Sequence, residues 1–275
     1  MKRWPALDIH AAAGSDLALA ALDDFAPTAL EERGRVLRAF FATPAARDEA
    51  LAALSSRFAV ASVEVAGDDW ARRSQQNLPP ITVGRVAIVS SPESPIPDPC
   101  VIAIAIAPSM GFGTGHHETT RLCLAALQAV GVADAFVIDV GTGSGVLAIA
   151  AVALGAARAL AVDSDPDAIQ AAGENLELNR AVAPAGRVEL AVADLMKCPL
   201  LEADVVIANL TGVQLMRGRR PLASAVRHGG VLIVSGLQTN ERDDVRGAYG
   251  GFDVVWEGRE NEWLALALKR ERKEA

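Results

Sequence analysis

The run Asp139-Val140-Gly141-Thr142-Gly143-Ser144-Gly145 sets three glycines two apart behind a carboxylate. An apolar stretch, Phe136 to Val140, leads into it, and a helix-forming stretch, Val146 to Leu154, follows. Glycines at a strand-to-helix turn let the backbone come close to a ligand. Twenty-two residues beyond Gly141, Asp163 ends the next apolar strand, where a carboxylate can accept both hydroxyls of a ribose. Type and spacing together predict a nucleoside-bearing cofactor on the turn.

A nicotinamide dinucleotide fingerprint needs its third glycine at the position that Val146 holds. Glycines two apart behind Asp139 are instead the form found in methyltransferases, whose cofactor has no pyrophosphate to cradle. Asp194 follows a third apolar strand in Val192-Ala193-Asp194, and reads equally as an acceptor for an adenine amino group or as a helix N-cap. Asn209 ends a fourth strand before Leu210-Thr211. The carboxyl ends of strands in an open α/β sheet face the ligand crevice, which places Asn209 near the reacting group.

Before the first of these strands lies Met110-Gly111-Phe112-Gly113-Thr114-Gly115-His116-His117-Glu118-Thr119-Thr120. Its glycines and polar side chains predict a loop closing over the cofactor, with a helix from Glu118 to Gln128. Metal binding by His116, His117 and Glu118 is the rival reading. Adjacent histidines diverge and no further ligand cluster follows, so no metal is expected.

The Phe112 to Thr120 run, with Asp139 to Gly145, Asp163 and Asn209-Leu210, closely resembles the PrmA-type methyltransferases, which modify large-subunit ribosomal protein eleven. The resemblance implies S-adenosylmethionine as cofactor and trimethylation of lysine ε-amines and the α-amine on a basic ribosomal protein. It places Thr120, Gly141, Asp163 and Asn209 against the cofactor and Phe112 and Thr114 in the covering loop. Asn209 and the Leu210 carbonyl would orient the amine. Two positions depart from the family pattern: Ala107-Pro108-Ser109 replaces an acidic Pro-Gly turn, and Ser74 stands where a second tryptophan is expected a helical turn after Trp70. The rival functions are a methyltransferase for another protein lysine or a small molecule, an NAD-dependent oxidoreductase, and a non-enzymatic interaction module.

These residues need a frame. Apolar strands at Phe136 to Val140, Ala159 to Asp163, Val188 to Val192, Val205 to Ala208 and Val231 to Ser235 alternate with helices and predict a doubly wound α/β sheet. Phe252 to Trp256 and Trp263 to Leu268, either side of a polar turn, predict a closing antiparallel hairpin. The N-terminal residues read as a ferredoxin-like βαββαβ plait: strand Trp4 to His10, helix Asp16 to Phe25, two strands within Ala29 to Thr43, a helix from Pro44 to about Phe58, and strand Val60 to Val65. The expected organisation is residues 1–66 for substrate recognition, 67–106 as linker with one docking strand, Ile81 to Val89, and 107–275 for the cofactor.

At net charge −8 the chain is expected to avoid nucleic-acid backbones and to suit a basic protein partner. Cys100, Cys123 and Cys198 have neither metal nor redox spacing. The longest apolar stretches, Val101 to Ala107 and Val146 to Leu154, are too short to span a bilayer, and no secretory signal is expected at Met1-Lys2-Arg3-Trp4. A cytoplasmic location is the expectation.

Overall fold

The computed structural model describes residues 3–10, 22, 25, 27, 29–33, 36–41, 43–66, 80–96, 98, 100–107 and 117–272. Contacts divide the chain into two units, Met1–Asn77 and Leu78–Ala275.

In the first unit, strands β1 (Arg3–His10), β2 (Ala29–Arg33), β3 (Val36–Phe40) and β4 (Ala59–Ala66) form an antiparallel sheet in the order β2-β3-β1-β4. Leu7, Ile9, Leu37 and Ala39 are buried with Ala50 and Leu54 of helix α1 (Pro44–Leu54). Thr43 Oγ1 accepts the Ala46 amide at 3.2 Å, and Pro44 occupies the first helical turn, where a missing N–H costs nothing. The helix ends four residues before the expected Phe58. There the Ser55 and Ser56 hydroxyls donate to the Ala52 and Ala53 carbonyls, competing with helix continuation. The expected helix Asp16 to Phe25 lies outside the described residues except for Leu22 and Phe25.

In the second unit, the stretch read as one strand, Ile81 to Val89, is two: β5 (Ile81–Val83) and β6 (Val86–Val89). Gly84 turns the chain between them at φ +55°, a conformation costly for any residue with a Cβ. β6 then pairs in parallel with β7 (Ile102–Ala105). Residues 81–105 therefore build a three-stranded sheet of this unit rather than a linker with a single strand.

The main sheet has seven strands, β8 (Phe136–Val140), β9 (Arg158–Asp163), β10 (Val188–Val192), β11 (Ala203–Asn209), β12 (Val226–Gln238), β13 (Phe252–Glu260) and β14 (Trp263–Arg270). Their order is β10-β9-β8-β11-β12-β14-β13, with β8 to β12 parallel and the β13–β14 hairpin antiparallel. Alternate residues feed two cores, as a sheet buried on both faces requires. Val137, Ile207 and Ile233 pack on one side with helices α2 (Glu118–Val130) and α3 (Val146–Ala153). Ile138, Val206 and Val234 pack on the other with α5 (Gly212–Arg217), α6 (Arg219–Ala225) and α7 (Arg242–Ala248), while α4 (Pro166–Leu178) joins β9 to β10. Because β8 is flanked by β9 and β11, the strand order reverses beside it, and the carboxyl ends at such a switch point are where open α/β sheets bind ligands.

Candidate functional site

Three expected residues stand at the carboxyl ends of the strands, Gly141 just after β8, Asp163 ending β9 and Asn209 ending β11, with Asp139 buried beneath them in β8. The β8–β11 register pairs Ala208 with Val140, which sets Asn209 level with Gly141. Gly141, at φ +71°, would carry a Cβ only 2.6 Å from Leu210 Cδ2. The glycine turn and the Asn209-Leu210 corner are thus in direct contact.

Four amides of the turn are tied down. Gly141 and Thr142 amides both donate to the Val162 carbonyl, at 2.9 and 3.0 Å. The Gly143 amide donates to Asp163 Oδ2 at 3.1 Å, and Gly145 donates to the Thr142 carbonyl at 3.0 Å. Gly145, at φ +81°, needs no Cβ for a second reason: one would sit 3.1 Å from Ala172 Cβ on α4. Its smallness serves helix packing behind the turn.

Asp139 is 1% exposed. Its Oδ2 accepts the Thr142 hydroxyl at 2.6 Å and the Ala148 amide in the first turn of α3 at 3.2 Å, while Oδ1 is buried without a partner. Burial pushes its carboxyl up to about 6, against the lowering pull of Thr142 and Ala148 and with a smaller upward push from Asp163. Asp139 therefore braces the turn from beneath.

Asp194 sits apart from these contacts. Its Oδ1 accepts the Met196 amide at 2.8 Å and Oδ2 pairs with Lys197 at 2.9 Å; the Lys197 hydrogen bond leads in holding its carboxyl below the usual range. The N-cap reading is corrected to a turn cap: the chain folds back at Lys197 and Cys198, whose amides reach the Asp194 carbonyl, and no helix follows. Thr120 is 1% exposed in the first turn of α2. Phe112, Thr114 and His116 lie outside the described residues. His117 is the N-cap of α2: its Nδ1 accepts the Thr119 amide at 3.3 Å, and its ring meets Trp263 edge-on at 4.9 Å between centroids.

Sequence reasoning passed over three contributors. Gly236, at φ +84°, would place a Cβ 2.4 Å from the Leu210 carbonyl oxygen, so its lack of a side chain seats the corner. Asn175 on α4 and Asn179 at its C-cap are buried and bond the backbone of Ser144, Ala105 and Ala107. Two asparagines spaced four apart in a helix, hence on one face, were the available signal.

The sequence profile described as "Ribosomal protein L11 methyltransferase (PrmA)" matches residues 23–271. The chain belongs to the PrmA family. It is similar to the ribosomal protein L11 methyltransferase of Geobacter sulfurreducens, 42% identical over 207 residues, covering 74% of this chain and 67% of that one. Against the Geobacter metallireducens protein of the same name it is 36% identical over 263 residues, covering 89% and 85%. Among solved structures, a ribosomal protein L11 methylase from Lactobacillus delbrueckii subsp. bulgaricus aligns with a TM-score of 0.63 at 28% identity, covering 70% of this chain and 99% of that one. Membership in the PrmA family accords with the β8 switch-point site and with the hairpin that closes the sheet.

Proposed function

We propose that this chain transfers methyl groups from S-adenosylmethionine to amino groups of ribosomal protein L11, the lysine ε-amines and the α-amine. The observation that carries the reading is the contact of Gly141 with Leu210, which brings the glycine turn and the Asn209 corner together in a chain of the PrmA family.

The residues present fit the cofactor. Asp163 spends one lone pair of each oxygen on the Gly143 and Asp165 amides, and a carboxylate has about four such sites, so two remain for ribose hydroxyls. Gly141 and Gly143 at positive φ leave the turn without side chains over the crevice. Asp194, on the third strand end, is the candidate acceptor for an adenine amino group, and Thr120, Phe112 and Thr114 complete the set the family resemblance implies. When bound, the cofactor supplies a methyl on a positively charged sulfur, a good leaving group.

The protein's part is alignment of the amine with that methyl. A lysine amine, with a pKa near ~10.4, attacks only after losing its proton. Transfer into a crevice disfavours the ammonium, and the Asn209 Oδ1 and Leu210 carbonyl are the acceptors that hold the neutral amine. No described residue bonds the Asn209 carboxamide, which leaves it for substrate or cofactor. Recruitment is assigned to the N-terminal plait and linker, and the partner is a basic ribosomal protein met in the cytoplasm, without direct nucleic-acid contact. No helix among the described residues is long and apolar enough to cross a membrane. The test is mass spectrometry of purified L11 after incubation with this protein and S-adenosylmethionine: methyl additions on lysines and the α-amine support the reading, and an unmodified L11 refutes it.

A further inference from the structure

Helix α4 carries an exposed outer face, including Gln170, Glu174 and Glu177, and two amides are buried on its inner side, Asn175 within the helix at 2% exposure and Asn179 at its C-cap at 3%. Burying an amide costs free energy unless every group is bonded, and a leucine would fill the same space without that cost. Both amides are bonded at oxygen and at nitrogen, but to different partners. Asn179 Oδ1 accepts the Ala105 amide at 2.8 Å, and its Nδ2 donates to the carbonyls of Ala105 and Asn175 at 2.6 and 2.7 Å. It therefore pairs with the end of β7 much as a neighbouring strand would. Asn175 Oδ1 accepts the Ala107 amide at 2.8 Å, and its Nδ2 donates to the Ser144 carbonyl at 2.9 Å.

That last bond reaches the glycine turn. The Ser144–Gly145 peptide is gripped at both ends: its carbonyl receives Asn175 Nδ2 and its N–H donates to the Thr142 carbonyl at 3.0 Å. With both ends held, the plane of this peptide cannot rotate, and neither can the Gly143 amide that Asp163 fixes on the preceding side. A hydrophobic residue at position 175 would fill the core and remove the donor that the Ser144 carbonyl receives from α4.

We infer that Asn175 is a positioning residue for cofactor binding, acting through the Ser144 carbonyl to hold the glycine turn in its binding shape while touching no cofactor atom itself. The inference rests on the proposed cofactor site. Asn179 supplies an internal control, since it caps the same helix one turn further on, is equally buried and makes no hydrogen bond to the turn.

The experiment compares Asn175→Asp and Asn179→Asp in the full chain. Each keeps its Oδ1 acceptor and turns a donor into an acceptor facing a carbonyl. S-adenosylhomocysteine affinity is read by calorimetry and stability by thermal unfolding. Both variants are expected to melt lower than wild type, but Asn175→Asp should bind about tenfold or more weakly, whereas Asn179→Asp should stay within about threefold of wild type. Affinity losses that match in the two variants, or wild-type affinity in Asn175→Asp, overturn the inference. Should Asn175→Asp fail to fold, Asn175→Ala replaces it under the same criteria, and failure of both to fold also overturns it, because the residue is then a requirement of the core. A wild-type chain that binds no S-adenosylhomocysteine refutes the proposed site itself, a separate result.

Discussion

Asp163 Oδ2 accepts the Gly143 amide at 3.1 Å, so the candidate ribose acceptor is also a strut of the glycine turn. Asp163→Ala removes both roles at a half-buried rim position. Affinity for S-adenosylhomocysteine is expected to fall more than about tenfold, a charged hydrogen bond contributing ~1.5–3 kcal/mol, with the cooperative unfolding transition retained. Calorimetry returning wild-type affinity would remove Asp163 from the site.

Asp139 makes stability depend on pH. An unfolded aspartate titrates near ~3.9, whereas burial raises this one to about 6 in the fold. Between those values the native state holds a proton that the unfolded chain has lost, so stability falls as pH rises through the window, and the penalty is complete above it. Asp139→Asn should abolish this slope, its stability relative to wild type improving by on the order of 1–3 kcal/mol from about pH 4 to about pH 7. Denaturant titrations at several pH values giving parallel curves for the two proteins would contradict this.

Gly236 and Gly247 should respond oppositely to alanine. At Gly236 the added Cβ meets the Leu210 backbone at 2.4 Å and φ is +84°, so about 2–4 kcal/mol of stability should be lost together with methyl transfer. Gly247 lies within α7 with nothing inside 4 Å of its added Cβ, and Gly247→Ala should stabilise by ~0.5–1 kcal/mol. Thermal unfolding of both variants checks the pair, and equal shifts would count against the seating of Leu210 on Gly236.

The contact boundary at Asn77/Leu78 sharpens the assignment of recruitment to the N-terminal unit. A chain beginning at Leu78 should keep S-adenosylhomocysteine affinity within about threefold, since no proposed cofactor residue is removed, and should lose transfer to full-length L11. Transfer by the shortened chain at the parent rate would show that recruitment lies elsewhere.

Asp139, Asp163 and Asn209 were legible as polar residues in or at the end of apolar strands, and the structure brings them to one end of the sheet. Strand limits were less so. β12 runs from Val226, five residues before the expected start at Val231: Val226 pairs with Ala203, and an irregularity then skips polar Arg227-His228 and two glycines before Val231 meets Val205. Hydropathy falls at this bulge, which hides the short paired stretch before it. Gly84 divided an apparently continuous strand by conformation alone. The bonds from Asn175 and Asn179 to Ser144, Ala105 and Ala107 were not legible, since these partners are 31 to 74 residues away and only the fold brings them together. Asp194 illustrates a third case, in which an acidic residue after a strand caps a turn by the same chemistry that would cap a helix.

Incubation of the protein with methyl-labelled S-adenosylmethionine and total ribosomal protein tests the proposed function most directly. Label is expected in one dominant band, ribosomal protein L11, and to be lost with Asp163→Ala. Label in a different protein while L11 stays unlabelled would contradict the assigned substrate, and no transfer to any protein by a chain that binds the cofactor would contradict protein methylation itself.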